Sequence, residues 1–411
     1  MTRIFLILTL GFLYFSANAQ WQTVTPGTTS NAILQSVFFT TPSTGFAVGS
    51  QDNQGLILKT ADSGTTWTSY PTTTYGSFSK VYFTSLSTGY VSGIDDNNNG
   101  IVLKTTDTGK LWTPLPVPST SFAFYNIHFT DSLIGFVSDV HGTIYGTKDG
   151  GSTWAGVAGS SWGLNSTNSL VFVDAQTGFA FGNDIYGGIQ KTSNSGTSWV
   201  TQTHPTTHTL RAAHFIDTIK GWAVGDSGTI LSTIDGGTSW NQQVSGTTED
   251  LQGIFFTNQD IGITVGKSGI ILKTKNGGTT WSTQSSNTTE TLYAIHLVDS
   301  NIGYIVGSKT LLGTLNGGGY PLSTRNYIGL NSDFIHIYPN PSKGIYRIAT
   351  NDQNGSYKIA IRSSMGQTVM KKEGIITDGF IEFSLEDKPC DIYFVHLEIG
   401  NINVTRKILK D

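Results

Sequence analysis

The sequence predicts an all-β protein, a seven-bladed β-propeller followed by a small C-terminal β-sandwich domain. Three observations lead to this prediction. A Gly-rich phrase that ends in Trp recurs every 41 to 45 residues, a period that suits a four-stranded blade. Glycine supplies 49 of the 411 residues while aromatic residues reach 11%, which favours many short strands joined by tight turns. The repeat stops near Pro321, and alternating apolar and polar residues continue beyond it.

The first segment, residues 1–19, is predicted to be a secretory signal peptide. Arg3 precedes an apolar run, and Ala17-Asn18-Ala19 forms an A-x-A-like cleavage site before Gln20. The apolar run is too short to cross a bilayer, and no later stretch is long and apolar enough to do so. We therefore expect the mature protein outside the cytoplasm, secreted or on the cell surface, without a membrane-spanning segment.

The propeller is predicted over residues 20–321. In each repeat an alternating strand comes first, a phrase such as GFAVG at Gly45 follows, and an apolar run leads into the phrase that ends in Trp. Each unit thus predicts four strands, A to D, joined by tight turns. The seventh copy has Pro321 in place of Trp, so Trp21 to about Thr25 is predicted to supply the fourth strand of blade seven and close the ring.

The phrase S/T-x-D-x-G-x-T-W pairs an acidic or amide residue with a Trp five positions later. Asn cannot replace Asp as an acid, a base or a strong metal ligand, but it can accept the same backbone hydrogen bonds in a turn. The presence of Asn in some copies therefore predicts a structural role for all of them. The pairs are Asp62 and Trp67, Asp107 and Trp112, Asp149 and Trp154, Asn194 and Trp199, Asp235 and Trp240, and Asn276 and Trp281.

This phrase resembles the Asp-box, or bacterial neuraminidase repeat. Its combination with the G-x-x-V-G phrase is similar to the propellers of the photosystem II assembly-factor-like group, a resemblance that extends over about Trp21 to Pro321. Sialidases with an Asp-box resemble one another in an arginine triad, which suits a substrate carboxylate. Between Gln20 and Tyr320 the only arginine is Arg211, so the sequence predicts that this protein is not a sialidase.

Charge and cysteine content narrow the function further. From Trp21 to Tyr320 there are 12 basic and 18 acidic residues, a net charge of −6, which fits neither nucleic acid nor an anionic membrane as partner. Because Cys390 is the only cysteine, no intramolecular disulfide or Cys-based zinc site can form, and we expect its thiol to be packed. The sequence predicts no metal site, no cofactor and no catalytic cluster.

Loop lengths predict the ligand-binding face. The A–B connections have the same length in every repeat, whereas the B–C connections are expanded in repeats one, two and four. The B–C and D–A connections leave a propeller on the same side, here called the variable face, and variable loops on a rigid scaffold usually carry function. An exposed Trp among carboxylates would suit a sugar ring or a protein side chain. The predicted ligand-binding residues are Trp162, Asp52, Asp95, Asp96 and Asp184.

The C-terminal segment, predicted as a domain over residues 334–411, follows a linker over 322–333. Its blocks beginning at Ile337, Tyr357 and Ile392 resemble in order and spacing the type A C-terminal sorting domain of the type IX secretion system. The resemblance implies that the domain binds the type IX translocon and is cut by a sortase-like protease. The sorting motif comprises Tyr338, Pro339, Asn340, Pro341 and Gly344.

Together these observations favour an exported, non-catalytic module that binds a surface protein or glycan. Two other functions stay open at the sequence level. A polysaccharide-active glycoside hydrolase would need an acid and a base carboxylate facing a cleft. An assembly or structural factor for other surface proteins is the function that the resemblance implies.

Overall fold

The computed structural model describes residues 21–24, 31–71, 76–118, 122–139, 141–157, 166–183, 188–314, 336–338, 343–349, 355–363, 367–376, 380–399 and 402–410. The chain divides into two compact units, Met1–Pro321 and Leu322–Asp411. The predicted signal peptide (1–19) and linker (322–333) lie outside the described residues. Among those residues, no helix combines the length and the hydropathy needed to cross a bilayer.

The first unit is a seven-bladed propeller, as predicted: its described residues form seven antiparallel sheets with the strand order A-B-C-D. The A strands are Ile33–Phe39, Ser77–Phe83, Phe124–Phe129, Ser166–Phe172, Leu210–Phe215, Leu251–Phe256 and Leu292–Leu297. The B strands are Gly45–Gln51, Gly89–Ile94, Gly135–Asp139, Gly178–Asn183, Gly221–Gly225, Gly262–Gly266 and Gly303–Gly307.

The outer half of each blade is shorter. The C strands are Gln54–Thr60, Gly100–Thr105, Ile144–Thr147, Ile189–Thr192, Ile230–Thr233, Ile271–Thr274 and Thr310–Thr314. The D strands of blades one to six are Thr68–Pro71, Thr113–Pro114, Ala155–Gly156, Val200–Thr201, Asn241–Gln243 and Ser282–Gln284. The B–C connections of blades five and six each contain a short 3-10 turn, Asp226–Gly228 and Lys267–Gly269.

Blade seven takes its outermost strand from the N-terminal end of the described chain. The strand Gln22–Thr23 pairs antiparallel with Thr310–Thr314, with Gln22 opposite Gly313 and Thr23 opposite Leu312. Trp21 precedes it and is fully buried. The outermost strand of one blade is thus separated from its three partners by almost the whole propeller sequence.

Aromatic stacking joins neighbouring blades. The second residue of strand B stacks on the last residue of strand A in the next blade. In that next blade, strand B opens with a Gly, and the absence of a side chain there leaves room for the stacked ring of strand A. At Gly178, for example, an added Cβ would lie 2.6 Å from Phe172. The stacked pairs are Phe46 and Phe83, Tyr90 and Phe129, Phe136 and Phe172, Phe179 and Phe215, Trp222 and Phe256, and Tyr304 and Phe39, with ring centroids 3.6 to 4.6 Å apart.

The interface between blades six and seven is aliphatic at the same place. Ile263 and Leu297 replace the two aromatic rings and share a buried cluster with Trp21. Elsewhere the Trp of each Gly-rich phrase packs edge-on against the strand A aromatic of its own blade, as Trp199 does against Phe172 at 6.0 Å and 81°. Trp21 therefore occupies, in blade seven, the position of those Trp residues.

The second unit is a small β domain, as predicted, with two sheets around one core. One sheet contains His336–Tyr338, Ile345–Ala349 and Phe380–Ser384; the other contains, in order, Thr368–Ile376, Gly355–Ser363, Asp391–Ile399 and Ile402–Lys410. Buried residues from both sheets, including Tyr346, Ile359 and Tyr393, form one cluster. The expectation of a packed thiol at Cys390 is wrong: Cys390 is exposed, because it lies in the turn just before the strand that begins at Asp391.

Candidate binding site

The carboxylate of each Gly-rich turn is engaged within the turn itself. Asp235 Oδ1 accepts hydrogen bonds from Thr233 Oγ1 (2.8 Å) and the Ser239 backbone N–H (2.9 Å), and Oδ2 accepts one from Ser239 Oγ (2.6 Å). The side-chain and backbone hydrogen bonds from Ser239 lower the pKa of Asp235 to about 2. Equivalent bonds surround Asp62 and Asp149.

Asn serves the same turn through one reversed hydrogen bond. Asn194 Oδ1 still accepts from Thr192 Oγ1 and from the Ser198 N–H, both at 2.9 Å, but Nδ2 now donates to Ser198 Oγ at 2.9 Å. Asn276 repeats the arrangement. The exchange works because a hydroxyl can donate or accept.

These turns also fasten adjacent blades to each other. A Lys on strand C reaches the turn of the next blade and donates to a backbone carbonyl: Lys59 to Thr108 O (2.5 Å), Lys104 to Gly150 O (2.8 Å) and Lys191 to Gly236 O (2.6 Å). Each ammonium also lies over the strand B aromatic of its own blade, 5.3 to 5.6 Å from the ring centroid. The contacts of the turns are thus those of a scaffold.

The predicted residues on the variable face are only partly within the described chain. Trp162 and Asp184 lie outside it. Asp52 sits in a turn with a positive φ of 52°, and its Oδ1 accepts a hydrogen bond from Asn31 Nδ2 at 3.4 Å. Asp95 Oδ1 accepts the backbone N–H groups of Asn97 (2.9 Å) and Asn99 (2.7 Å), while Asp96 is exposed. No contact joins these three carboxylates, and within the described ranges no three His, Cys, Asp or Glu residues gather as a metal-binding group.

A different site lies on the propeller axis. The A strands enclose a central cavity of about 350 Å³, whose lining extends to Val173, Ile216 and Asp217 in the A–B connections. Its wall carries an aromatic belt formed by the next-to-last residue of strand A in six blades. The belt consists of Phe38, Tyr82, His128, His214, Phe255 and His296, and Val171 takes the equivalent place in blade four.

The belt is continuous except at Val171. Neighbouring rings lie 4.3 to 5.6 Å apart from His214 through Phe255, His296, Phe38 and Tyr82 to His128. Tyr82 is oriented by its hydroxyl, which donates to the Phe129 carbonyl of the next blade at 3.0 Å. Burial raises the pKa of Tyr82, so this hydroxyl stays protonated and the wall carries no phenolate.

A bulge shapes every A strand just before the belt. In each blade the pairing between strands A and B skips one residue, as between Leu34 and Ser36 in blade one. Bulges re-aim side chains and are common next to functional sites. The residue two positions after the skipped one lines the cavity in all seven blades, for example Val81 in blade two and Leu170 in blade four. The skipped residues are Gln35, Ser79, Tyr125, Asn168, Arg211, Gln252 and Tyr293.

The three histidines of the belt are held in the neutral form. Burial lowers the pKa of His128 and of His214 to about 4, and the charge of Lys80 adds to the effect. The pKa of His296 falls to about 3 for the same first reason, with further contributions from His214 and Lys80. At neutral pH the belt therefore presents uncharged imidazoles, which can donate and accept hydrogen bonds.

Comparison with protein families matches both units. Residues 14–120 and 190–287 match a family described as photosynthesis system II assembly factor YCF48. Residues 336–411 match the secretion system C-terminal sorting domain. The chain joins a YCF48-like propeller to a secretion sorting domain. Among curated proteins, no sequence match was found.

Solved structures confirm the fold of the YCF48-like propeller. A structure of YCF48 bound to a D1 peptide has a TM-score of 0.61 at 20% identity, covering 73% of this chain and 96% of that one. YCF48 from Cyanidioschyzon merolae gives 0.58 and 20%, covering 73% and 99%. The GH74 enzyme of Niastella koreensis gives 0.59 and 12%, covering 95% and 74%.

The sorting domain directs export by the type IX system, to the cell surface or the medium. Of its predicted motif, Tyr338 ends the first strand of the domain and Gly344 has a φ of 132°. Pro339, Asn340 and Pro341 lie outside the described residues. An added Cβ at Gly344 would come within 2.8 Å of Glu386, so the turn requires Gly both for its backbone angle and for its packing.

The central cavity of the YCF48-like propeller was missed from the sequence, although a signal was present. Each A strand ends in a pair of residues such as FF, YF or HF. In the sequence, the first residue of each pair is indistinguishable from any other position of an alternating strand. Only the closure of seven blades around one axis brings these positions together.

Proposed function

We propose that this exported protein is a non-catalytic binding module, and that the central cavity of its propeller is the ligand site. The observation that carries this proposal is the aromatic belt around an open cavity of about 350 Å³. Sites for small ligands or single side chains are concave, mostly apolar and furnished with a few polar groups. The belt offers apolar rings together with neutral imidazoles, and Lys80 adds one cation.

A polypeptide is the favoured class of ligand. The YCF48 structure solved with a D1 peptide shares this fold, and the fold is therefore compatible with peptide binding. A side chain or chain end inserted into the cavity would contact rings from several blades at once. Such a ligand also suits a role as an assembly or structural factor for other surface proteins, which remains an alternative.

A glycoside hydrolase is the second candidate, favoured by the likeness to the GH74 fold. This chemistry requires two carboxyl groups about 5 to 10 Å apart. Among the described residues that line the cavity, Asp217 is the single carboxylate, and its Oδ1 accepts the N–H groups of Ile219 and Lys220. Of the carboxylates predicted on the variable face, Asp52 lies in a turn, and Asp95 accepts backbone N–H groups of its own turn. These observations support binding over hydrolysis.

The test uses the full chain from Gln20, immobilised and exposed to a random peptide library and to a panel of soluble polysaccharides. Retention and released reducing ends are recorded together. We expect retention of peptides without release of sugar. Release of reducing ends that disappears on changing Asp95 or Asp96 would overturn the non-catalytic proposal.

Two matched variants in blade four locate the site. Val171→Trp fills the gap in the belt, whereas Val200→Trp adds the same ring at an outermost strand where Val200 is 63% exposed. We expect the first variant to abolish retention and the second to leave it unchanged. If both variants retain ligand like the parent protein, the cavity is not the site, and variants of Asp52, Asp95 and Asp96 then test the variable face.

A further inference from the structure

Lys80 is the unusual residue of the central cavity. It is the fourth residue of strand A in blade two, directly after the bulge, and it lines the cavity. The equivalent residues of the other blades are small or neutral. They are Ser36, Asn126, Ser169, Ala212, Gly253 and Ala294.

The Lys80 ammonium has no hydrogen-bond or ion-pair partner among the described residues. Several other propeller lysines have partners: Lys59, Lys104 and Lys191 donate to carbonyls of the next blade, and Lys267 pairs with Asp250 at 2.6 Å. Lys80 is open to solvent through the cavity, and the A strands that form the cavity wall surround it. Desolvation by the surrounding wall lowers the pKa of Lys80, so the ammonium is less well solvated than one on the outer surface.

The groups that face Lys80 do not supply a counter-charge within the belt. The charge of Lys80 lowers the pKa values of three histidines across the cavity, in blades three, five and seven: His128, His214 and His296. Tyr82 is protonated, and Asp217 lies at the A–B end, where the backbone N–H groups of Ile219 and Lys220 hold its carboxylate. The cavity wall therefore combines one cation with apolar rings and neutral imidazoles.

This further step rests on the proposed function and names the chemistry of the ligand. We infer that the cavity binds a carboxylate carried on an apolar body, with the carboxylate paired to Lys80 and the body packed against the aromatic belt. One cation matches the single charge of a carboxylate, whereas a phosphate monoester carries close to two charges at neutral pH. A neutral sugar would offer the Lys80 ammonium no counter-charge.

The ligand can be a free organic acid or an acidic group of a peptide, since both present the same carboxylate. The neutral imidazoles of the belt can donate hydrogen bonds to the bound carboxylate.

The test compares 3-phenylpropionate with 3-phenylpropionamide, which has nearly the same shape without the charge. Binding to the full chain is measured by ligand-observed NMR, with Lys80→Met as the cavity variant. Lys110→Met is the matched control, because Lys110 is exposed in the same blade. Tryptophan fluorescence verifies that each variant is folded.

We expect the full chain and the Lys110→Met protein to bind the acid about tenfold or more tightly than the amide, the effect of one partly desolvated ion pair. Lys80→Met is expected to remove this preference, and Lys80→Arg to restore most of it. An acidic peptide and its amidated counterpart, tested in parallel, distinguish a peptide source from a free acid.

Equal binding of acid and amide would overturn the carboxylate inference while leaving the cavity as a binding site. An acid preference that persists in Lys80→Met would overturn the role of Lys80. Absence of binding by both probes would refute the inference, but the proposed function would then still be decided by the peptide and polysaccharide panels.

Discussion

Replacement of Trp21 by Ala tests how far the stability of the propeller depends on closure of the ring. Trp21 is fully buried and packs with Ile263, Leu297 and other residues of blades six and seven. It also anchors the strand Gln22–Thr23, which completes blade seven. The substitution removes the ring but leaves the backbone hydrogen bonds of that strand available.

The expected change in the free energy of unfolding follows from the burial of the Trp21 side chain. A Trp side chain buries about 150 to 250 Å², which at about 25 cal/mol per Å² is worth about 4 to 6 kcal/mol. The Trp21 indole N–H is buried and has no hydrogen-bond partner among the described residues, an unfavourable term of about 1 to 3 kcal/mol that the substitution removes. We therefore expect Trp21→Ala to lower the free energy of unfolding by about 3 kcal/mol, at the low end of Trp→Ala changes in cores.

Urea unfolding followed by tryptophan fluorescence measures this change without interference from the sorting domain. All 9 tryptophans precede Pro321, so the signal reports on the propeller unit alone. Gln22→Ala is the control, because Gln22 is exposed on the same strand and its loss should change stability by less than about 0.5 kcal/mol. Equal unfolding midpoints for the two variants would refute the reasoning and show that blade seven does not need Trp21.

Three further predictions concern the packing, the turns and the response to acid. Gly178→Ala places a Cβ against Phe172 and should destabilise the propeller by about 1 to 3 kcal/mol in the same urea assay. Gly156→Ala is the control and should be neutral, because its new Cβ would lie 4.0 Å from the nearest side chain. Asp235→Asn should keep the thermal midpoint of the parent protein because Ser239 can reverse its hydrogen bond, whereas Asp235→Ala should lower it; an Asn variant as unstable as the Ala variant would contradict this. The pKa values of the cavity histidines are lowered in the folded state. Their contribution to the free energy of unfolding is therefore fully present above about pH 6.5 and falls as the pH approaches about 4. A free energy of unfolding that stays constant across that range, measured by urea titration, would disprove their burial.

The repeat made most of the propeller predictable. Each copy carries its own turn, its own Gly for the neighbouring ring and its own Trp, so that local chemistry and global architecture agree. The N-terminal strand could be assigned to blade seven because Pro321 left one place empty. The exposure of Cys390 could not be predicted, because it depends on where a turn ends and not on the apolar run that follows.

The candidate site was less predictable for a physical reason. The expectation of ligand residues on the variable face followed loop length, a property that can be read along the chain. The belt residues are separated by whole blades and become neighbours only through the ring, so no local window reveals them. Lys80 likewise looks like a surface lysine in an alternating strand until the enclosure around it is known.

The bulge repeated in all seven A strands has a consequence for how such a molecule can change. Each bulge releases one residue from the hydrogen-bond ladder at the same height around the axis, and those seven residues are already chemically diverse, from Ser79 and Gln252 to Tyr293 and Arg211. These residues have no partner in the register of strands A and B. The scaffold thus holds seven places outside the A–B pairing in a fixed circle, a layout from which new specificities can be evolved or engineered.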